Sequence, residues 1–119
     1  MKKKILIVDD DPDVIDRVTQ LLEDDYDVRS TTDWGELNQI FFREGVDLIL
    51  MDVNLPVLRG DQLTAIFKRG TQPTRIVLFS SEDDDTLRRL TEETKADGYL
   101  SKSTRSAELL LSIQHYLRN

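Results

Sequence analysis

The sequence contains no cysteine, only three prolines and five glycines, and a single histidine among its 119 residues. The absence of cysteine excludes disulfides and thiolate metal sites and leaves the redox compartment undetermined. No proline- or glycine-rich stretch marks a linker, and a chain of this length is of ordinary single-domain size. We therefore expect one domain over residues 1–119.

Long hydrophobic runs are also missing. Three lysines precede the apolar run Ile5–Val8, which ends at Asp9 and is too short for a signal-peptide core or a membrane span. We therefore expect a soluble, cytoplasmic chain that does not bind membranes. The net charge is −7, with 23 acidic and 16 basic residues, and such an acidic excess disfavours direct binding to nucleic acid.

Short extended segments alternate with stretches in which apolar residues recur at helical spacing. The helical spacing of Val14, Val18, Leu21 and Leu22 is repeated in three later stretches, and only the segment Glu82–Thr94 is poorly amphipathic. The three stretches are marked by Trp34, Leu37, Ile40 and Phe41, by Leu63, Ile66 and Phe67, and by Leu109, Leu110, Ile113 and Leu117. The candidate strands are Ile5–Val8, Tyr26–Ser30, Leu48–Met51, Ile76–Phe79 and Gly98–Leu100. This order predicts an α/β fold, a (βα)5 arrangement with a five-stranded parallel sheet and helices on both faces.

Several helix starts have recognisable capping residues. Asp11 before Pro12 predicts an N-cap with proline at the first helical position, so Asp11 is better explained as a cap than as a metal ligand. Asp33 and Glu36 resemble a capping box, and Gly60 or Asp61 begins the third helix. The lone His115 falls outside the apolar stripe of the last helix, so we expect it to be exposed.

Polar residues follow the predicted strands at one edge of the sheet. Asp9, Asp10 and Asp52 come after the first and third strands, Ser80 ends the fourth, and Lys102 follows the fifth. Neighbouring carboxylates repel one another, and a cluster of oxygen ligands suits Mg²⁺. A hydroxyl and an ammonium group supply donors for an anion, so the set predicts a phosphoryl-transfer site with a carboxylate nucleophile.

These segments resemble the receiver domain of two-component response regulators over nearly the whole chain. The matching segments are Ile5–Asp11, Asp47–Pro56 with Gly60 after it, Leu78–Ser81 and Gly98–Lys102. The resemblance implies the flavodoxin-like, doubly wound version of the predicted fold. It also implies that Asp52 is the phosphoacceptor.

The remaining site residues are assigned through the same resemblance. It implies that Asp10 and Asp52 bind Mg²⁺ through their carboxylates, Asn54 through its backbone carbonyl, and Asp9 through a metal-bound water. Ser80 and Lys102 would contact the phosphoryl group, and Tyr99 would be the switch aromatic whose rotamer follows the Ser80 hydroxyl. The catalytic residues implied are Asp52, Ser80 and Lys102, and the metal residues are Asp9, Asp10, Asp52 and Asn54.

The resemblance also implies partners. A histidine kinase or a phosphotransfer protein would supply the phosphoryl group, and the face formed by the fourth helix, fifth strand and fifth helix would change its affinity for a downstream effector or a C-terminal output domain. A homodimer is compatible with this role. The domain would not be an enzyme, since it would catalyse only its own phosphorylation and dephosphorylation.

The chain departs from the family pattern at two positions. Ser103 stands where the family usually has proline, and Ser80 replaces the commoner threonine while keeping the hydroxyl. A cis peptide bond before a residue other than proline costs about 2.5–4 kcal/mol, so we expect a trans Lys102–Ser103 bond. Ser103 or Thr104 would then be available to cap the last helix, and Lys102 would still reach Asp52.

Two other hypotheses remain at this point. A haloacid-dehalogenase-type phosphatase would use Asp9 and Asp11 on the first strand, but Asp52, the missing later acidic pair and the short chain disfavour it. A phosphorylation-independent binding module would keep the fold without the chemistry, and Ser103 gives it slight support. Turnover of a phosphate ester would favour the first, and failure to take up a phosphoryl mimic would favour the second.

Overall fold

A computed structural model describes residues 2–54, 59–68 and 73–118 of the chain. Leu55 and Pro56 of the predicted motif lie outside these residues, as do Met1 and Asn119. The strands are β1 Lys4–Val8, β2 Asp27–Thr31, β3 Leu48–Met51, β4 Arg75–Ser80 and β5 Gly98–Ser101. The α-helices are α1 Pro12–Leu22, α2 Trp34–Gln39, α3 Gly60–Lys68, α4 Asp84–Thr94 and α5 Ser106–Leu117.

The five strands form one parallel sheet in the order β2-β1-β3-β4-β5. This order confirms the predicted flavodoxin-like, doubly wound fold, in which the chain reverses its direction of travel between β1 and β3. Two neighbouring strands whose connections leave in opposite directions open a crevice at their carboxyl ends. The residues that follow β1 and β3 therefore occupy the usual ligand position of such a sheet.

Alternate residues of the central strands pack on opposite faces of the sheet. Ile5 and Ile7 of β1 belong to the core under α1 and α5, whereas Leu6 and Val8 belong to the core under α2, α3 and α4. Side chains of a strand alternate between the two faces, so a strand covered by helices on both sides is apolar throughout. This double burial fixes β1 and β3 rigidly beneath the residues that follow them.

The helix starts follow the predicted capping pattern, with one difference. Asp11 accepts a hydrogen bond from the Asp13 N–H at 2.9 Å, which confirms it as the N-cap of α1. Asp33 caps α2 but accepts from the Gly35 N–H, the second of the helix, and not from that of Glu36, the third; an N-cap side chain can use either.

The second helix changes form after Gln39. A π-helical segment, Ile40–Glu44, follows α2 directly and closes with a hydrogen bond of 3.2 Å from the Gly45 N–H to the Ile40 carbonyl. Gly45 has φ +78°, a conformation that glycine adopts without the penalty that a Cβ imposes. The apolar spacing of this stretch predicts a helix, but it does not show whether the last turn is α-helical or π-helical.

The start of α5 requires a correction. Neither Ser103 nor Thr104 caps the helix: its N-cap is Arg105, which makes no side-chain capping bond. The Ser103 N–H and hydroxyl instead contact the Ser101 hydroxyl, so they are engaged before the helix begins. The described residues contain no cis peptide bond, which confirms the trans Lys102–Ser103 bond. No helix within the described ranges is long and apolar enough to cross a membrane.

Candidate functional site

Three carboxylates meet at the carboxyl ends of β1 and β3. Asp9 and Asp10 follow β1, Asp52 follows β3, and one oxygen of each lies within 4.8 Å of the others. Asp9 is 1% exposed and Asp52 4% exposed, whereas Asp10 is exposed. The predicted convergence of these residues is therefore present, with two buried acids and one facing solvent.

Asp9 has one satisfied and one unsatisfied oxygen. Its Oδ1 accepts a hydrogen bond of 2.9 Å from the Asp11 N–H. Its Oδ2 is buried and accepts no hydrogen bond of good geometry from any described residue. The ammonium of Lys102, 2.8 Å away, supplies charge but not a well-directed bond. A buried carboxylate oxygen in this state is suited to a cation or an ordered water.

Lys102 joins the two buried carboxylates. Its Nζ lies 2.8 Å from Asp9 Oδ2 and 3.4 Å from Asp52 Oδ2, which confirms that Lys102 reaches Asp52. Its backbone N–H donates to the Ser80 carbonyl at 2.9 Å, so β4 holds the base of the side chain. Burial alone would lower the pKa of Lys102, but contact with Asp9 and the charges of both carboxylates raise it above its usual value.

Asp52 is held at the end of β3 by its backbone and by its neighbours. Its N–H donates to the Val8 carbonyl at 3.0 Å, and its Oδ1 accepts from the Asn54 N–H at 3.2 Å. Burial raises the pKa of Asp52, the Asn54 N–H and Lys102 oppose this shift, and the charge of Asp9 adds to it. One ammonium cannot neutralise two buried carboxylates, so the cluster retains negative charge that a divalent cation would balance.

Because Gly60 has no Cβ, its backbone can lie close to the backbone of Asp52. A Cβ on Gly60 would lie 1.7 Å from the Asp52 carbonyl oxygen, far inside contact distance. The Gly60 N–H donates to the Val53 carbonyl at 3.1 Å, and the Thr64 hydroxyl donates to the Gly60 carbonyl at 2.8 Å. The first turn of α3 therefore packs directly against the end of β3, a contact that the sequence did not predict.

Ser80 and Tyr99 lie on adjacent strands beside this cluster. Ser80 is fully buried at the end of β4, and its hydroxyl accepts a hydrogen bond of 3.2 Å from the Glu82 N–H. Tyr99 pairs with Leu78 in the register of β4 and β5 and packs against the core under α4. Its hydroxyl donates to Asp84 at 2.9 Å. Their roles as a switch pair remain predictions.

One residue of the site was missed by sequence reasoning. The guanidinium of Arg17, on α1, donates to the backbone carbonyls of Lys102 and Thr104. A single arginine in an amphipathic helix is usually solvated, so its spacing carries no signal for this contact. His115 is exposed, as expected.

The family model described as "Response regulator receiver domain" matches residues 5–114. This chain belongs to the response-regulator receiver-domain family. The receiver domain is a signalling domain of two-component systems, and family membership favours the receiver hypothesis over a haloacid-dehalogenase-type phosphatase.

Two curated relatives show how far the similarity of this receiver domain extends. The transcriptional regulatory protein CpxR of Escherichia coli is 34% identical over 117 residues, which are 97% of this chain and 49% of that protein. The TorCAD operon transcriptional regulatory protein TorR of Escherichia coli is 33% identical over 119 residues, 98% of this chain and 51% of that protein. The receiver domain thus spans about half the length of these relatives.

Solved structures of receiver domains have the same fold. The beryllofluoride-activated receiver domain of Klebsiella pneumoniae RstA is 34% identical, with a TM-score of 0.88 and coverage of 98% of this chain and 100% of that one. The beryllofluoride-activated DrrB receiver domain is 26% identical, with a TM-score of 0.85 and full coverage of both chains. Both comparisons support the overall fold of this chain.

Proposed function

We propose that Asp52 accepts a phosphoryl group and that the resulting aspartyl phosphate changes the surface that this receiver domain presents to a partner. The observation that supports this most directly is the position of Lys102, whose ammonium lies 2.8 Å from Asp9 and 3.4 Å from Asp52. A positively charged group beside a carboxylate nucleophile can contact an oxygen of the incoming phosphoryl group and neutralise its charge.

In this step a carboxylate oxygen of Asp52 attacks the phosphorus of a phosphohistidine on a histidine kinase or phosphotransfer protein. The P–O bond to Asp52 forms as the P–N bond breaks, and the imidazole nitrogen that leaves takes up a proton. The Asn54 N–H holds Oδ1 of Asp52 and thereby orients the carboxylate. Such positioning and charge neutralisation supply most of the catalysis in phosphoryl transfer.

The acidic cluster fits a divalent cation. The unsatisfied Oδ2 of Asp9 and the surplus of carboxylate charge favour a metal with oxygen ligands, of which Mg²⁺ is the one suited to few carboxylates and retained waters. Asp10 and Asp52 would hold it through carboxylates, Asn54 through its backbone carbonyl, and Asp9 through a water. Bound Mg²⁺ would offset the negative charge of the phosphoryl group and of the carboxylates.

The change in surface would pass through Ser80 and Tyr99. The Ser80 hydroxyl now accepts one hydrogen bond, from the Glu82 N–H, and could rotate to donate to a phosphoryl oxygen. The space that it leaves would favour an inward position of Tyr99, and the face formed by α4, β5 and α5 would change with it. A ligand shifts such an equilibrium only by its different affinity for the two states.

The recipient of this signal is an output domain or a separate effector protein. Relatives named as transcriptional regulatory proteins are about twice as long as this chain, which supports an output domain as one form of the recipient. Because a histidine kinase draws its phosphoryl group from ATP, the exchange would take place in the cytoplasm. The proposed domain would catalyse its own phosphorylation and dephosphorylation and no turnover of a separate substrate, and a homodimer through the changed face is compatible with it.

Intact-mass spectrometry tests the proposal. The protein is incubated with acetyl phosphate and Mg²⁺, and we expect a gain of one phosphoryl group that is lost in base. The variant Asp52→Asn should show no gain, while Asp24→Asn, which alters an exposed acid between α1 and β2, should behave as the wild type. A base-labile phosphate on Asp52→Asn would contradict the assignment, and no uptake by the wild type would favour a phosphorylation-independent module.

A further inference from the structure

Arg17 connects α1 to the turn that follows β5. Its NH1 group donates to the Lys102 carbonyl at 3.0 Å, and its NH2 group donates to the Thr104 carbonyl. The side chain is half-buried, and no described carboxylate lies within ion-pair distance of it. A guanidinium that is partly removed from water without an opposite charge depends on its hydrogen bonds. The two carbonyls are therefore its specific partners.

The N–H groups of the same turn are satisfied from the side of the sheet. The Lys102 N–H donates to Ser80, the Ser103 N–H to the Ser101 hydroxyl at 3.1 Å, and the Thr104 N–H to the Ser101 carbonyl at 3.0 Å. The carbonyls of Lys102 and Thr104 are acceptors and need hydrogen-bond donors. The Arg17 guanidinium donates to both carbonyls. Its planar group offers two donors in a fixed geometry, which a lysine could not do.

This arrangement matters because Lys102 has a long and flexible side chain. Its ammonium lies against Asp9 and Asp52, and a flexible stem does not by itself fix that position, so the backbone at its base is the part that other residues can hold. Ser103 has no ring to restrict its φ, so the backbone after Lys102 is not stiffened covalently. With β4 holding the Lys102 N–H and α1 holding the Lys102 carbonyl, the peptide units on both sides of the Lys102 Cα are fixed.

We propose that Arg17 is a positioning residue, which fixes the backbone of Lys102 and thereby places the ammonium between Asp9 and Asp52. Its consequence for phosphoryl transfer rests on the proposed function, but the placement of Lys102 does not. The competing explanation is that Arg17 only attaches α1 to the rest of the fold. The two differ in what they predict for Lys102 itself and for the metal.

The test compares Arg17→Met, which keeps the apolar length and removes the donors, with Arg17→Lys, which keeps the charge and a single point donor. Arg29→Met is the matched control, because Arg29 pairs with Glu44 at the far edge of the sheet. Three quantities are measured on each variant. They are the ¹³Cε NMR resonance of Lys102 at fixed pH without metal, the Mg²⁺ dissociation constant, and the rate of phosphorylation by acetyl phosphate at saturating Mg²⁺.

We expect the Lys102 resonance of Arg17→Met to move to the position of exposed lysines. Phosphorylation should slow by about tenfold or more, since a misplacement of about 1 Å in a positioned group can lower a rate by about a hundredfold. Mg²⁺ should bind as tightly as before or more tightly, because a displaced ammonium no longer competes with the cation. Arg17→Lys should recover part of the rate, and Arg29→Met should match the wild type in all three.

Two results would overturn the proposal. One is an unchanged Lys102 resonance in Arg17→Met. The other is a parallel loss of Mg²⁺ affinity and rate together with a change in the whole NMR spectrum, in both Arg17 variants, which is the signature of a purely structural attachment. If the wild type takes up no phosphoryl group, the proposed function fails, and the Lys102 resonance alone still decides whether Arg17 positions it.

Discussion

The hydroxyl of Tyr99 donates a hydrogen bond of 2.9 Å to Asp84 at the start of α4. The other carboxylate oxygen of Asp84 pairs with Arg88 at 2.7 Å, so Asp84 is itself held in place. The bond favours the conformation in which the ring points toward α4. Any inward movement of Tyr99 in the proposed switch has to break it.

The variant Asp84→Ala should therefore favour the inward conformation of Tyr99. A hydrogen bond of this kind contributes about 1 kcal/mol, which corresponds to about a fivefold increase in affinity for beryllofluoride in the presence of Mg²⁺. Fluorine NMR of fluorotyrosine-labelled protein would follow the ring. Asp85→Ala is the control, because Asp85 also pairs with Arg88 but makes no described contact with Tyr99. Equal effects of both variants would assign the change to Arg88 instead.

Asp52→Asn should stabilise the metal-free protein at pH 7. Burial raises the pKa of Asp52, so the folded protein holds this proton more tightly than the unfolded chain does, and the ionised carboxylate destabilises the fold. Asparagine keeps the acceptor for the Asn54 N–H and leaves Lys102 paired with Asp9. We expect the free energy of unfolding in urea to rise by about 1 kcal/mol or more, the scale of a poorly compensated buried group.

The stability gained by Asp52→Asn should depend on pH, because the pKa of Asp52 is raised in the folded protein. Stability lost to the ionised Asp52 is regained as the pH falls through its raised pKa, so the difference between Asp52→Asn and wild type should shrink in acid. Urea titrations at several pH values in the presence of a chelator would measure it. The exposed Asp24→Asn should show no gain at pH 7. A gain for Asp52→Asn that does not change with pH would contradict the electrostatic explanation.

Mg²⁺ should bind weakly and at the carboxylate cluster. We expect amide NMR shifts at Asp10 and Asn54 on titration. Asp10→Asn should lower the affinity by at least the roughly 10- to 100-fold that loss of an outer-shell partner costs. Asp85→Asn, in an exposed acidic run, should leave the affinity unchanged. Shifts confined to Asp83–Asp85 would place the ion elsewhere.

Asp97 should be important for stability, at the edge of the sheet opposite the site. Its Oδ2 accepts from the buried Ile76 N–H at 2.7 Å and from Lys68 at 3.0 Å. Asp97→Ala would leave that N–H without a partner, so we expect a loss of about 1–3 kcal/mol in the free energy of unfolding. Asp97→Asn, which keeps the acceptor, should lose less. Equal losses in urea denaturation for the two variants would show that the Lys68 ion pair dominates.

The strands, their order and the edge where the polar residues meet could be predicted because doubly buried strands are continuously apolar and parallel sheets place ligands at one edge. The contacts of Arg17 and Asp97 could not. An arginine in a helix and an aspartate before a glycine have common explanations as a solvated charge and a turn residue. Their partners are backbone groups far away in sequence, and a backbone carbonyl or N–H has no residue type for a pattern to detect.

The hydrogen bonds of the turn after Lys102 also could not be predicted in full from the sequence, although their partners are close in sequence. The trans bond before Ser103 could be predicted from the cost of a cis bond without proline. The partner of the Ser103 hydroxyl could not, because the Ser101 hydroxyl, 2.7 Å away, competes for it with the N–H groups of the first turn of α5. Local hydrogen bonds of serine are numerous and similar in energy, so geometry decides among them.

The contact of Gly60 with the Asp52 carbonyl has a consequence for how this domain can diverge. Every other amino acid brings a Cβ, and a Cβ at this place overlaps the backbone of Asp52, which would have to shift. The overlap is the same for small, large, polar and charged side chains, because all of them carry the Cβ. Substitution of Gly60 is therefore unfavourable whatever the chemistry of the new side chain. In a library of all single substitutions it should be as intolerant as the reactive acids, although it contributes no functional group to the reaction.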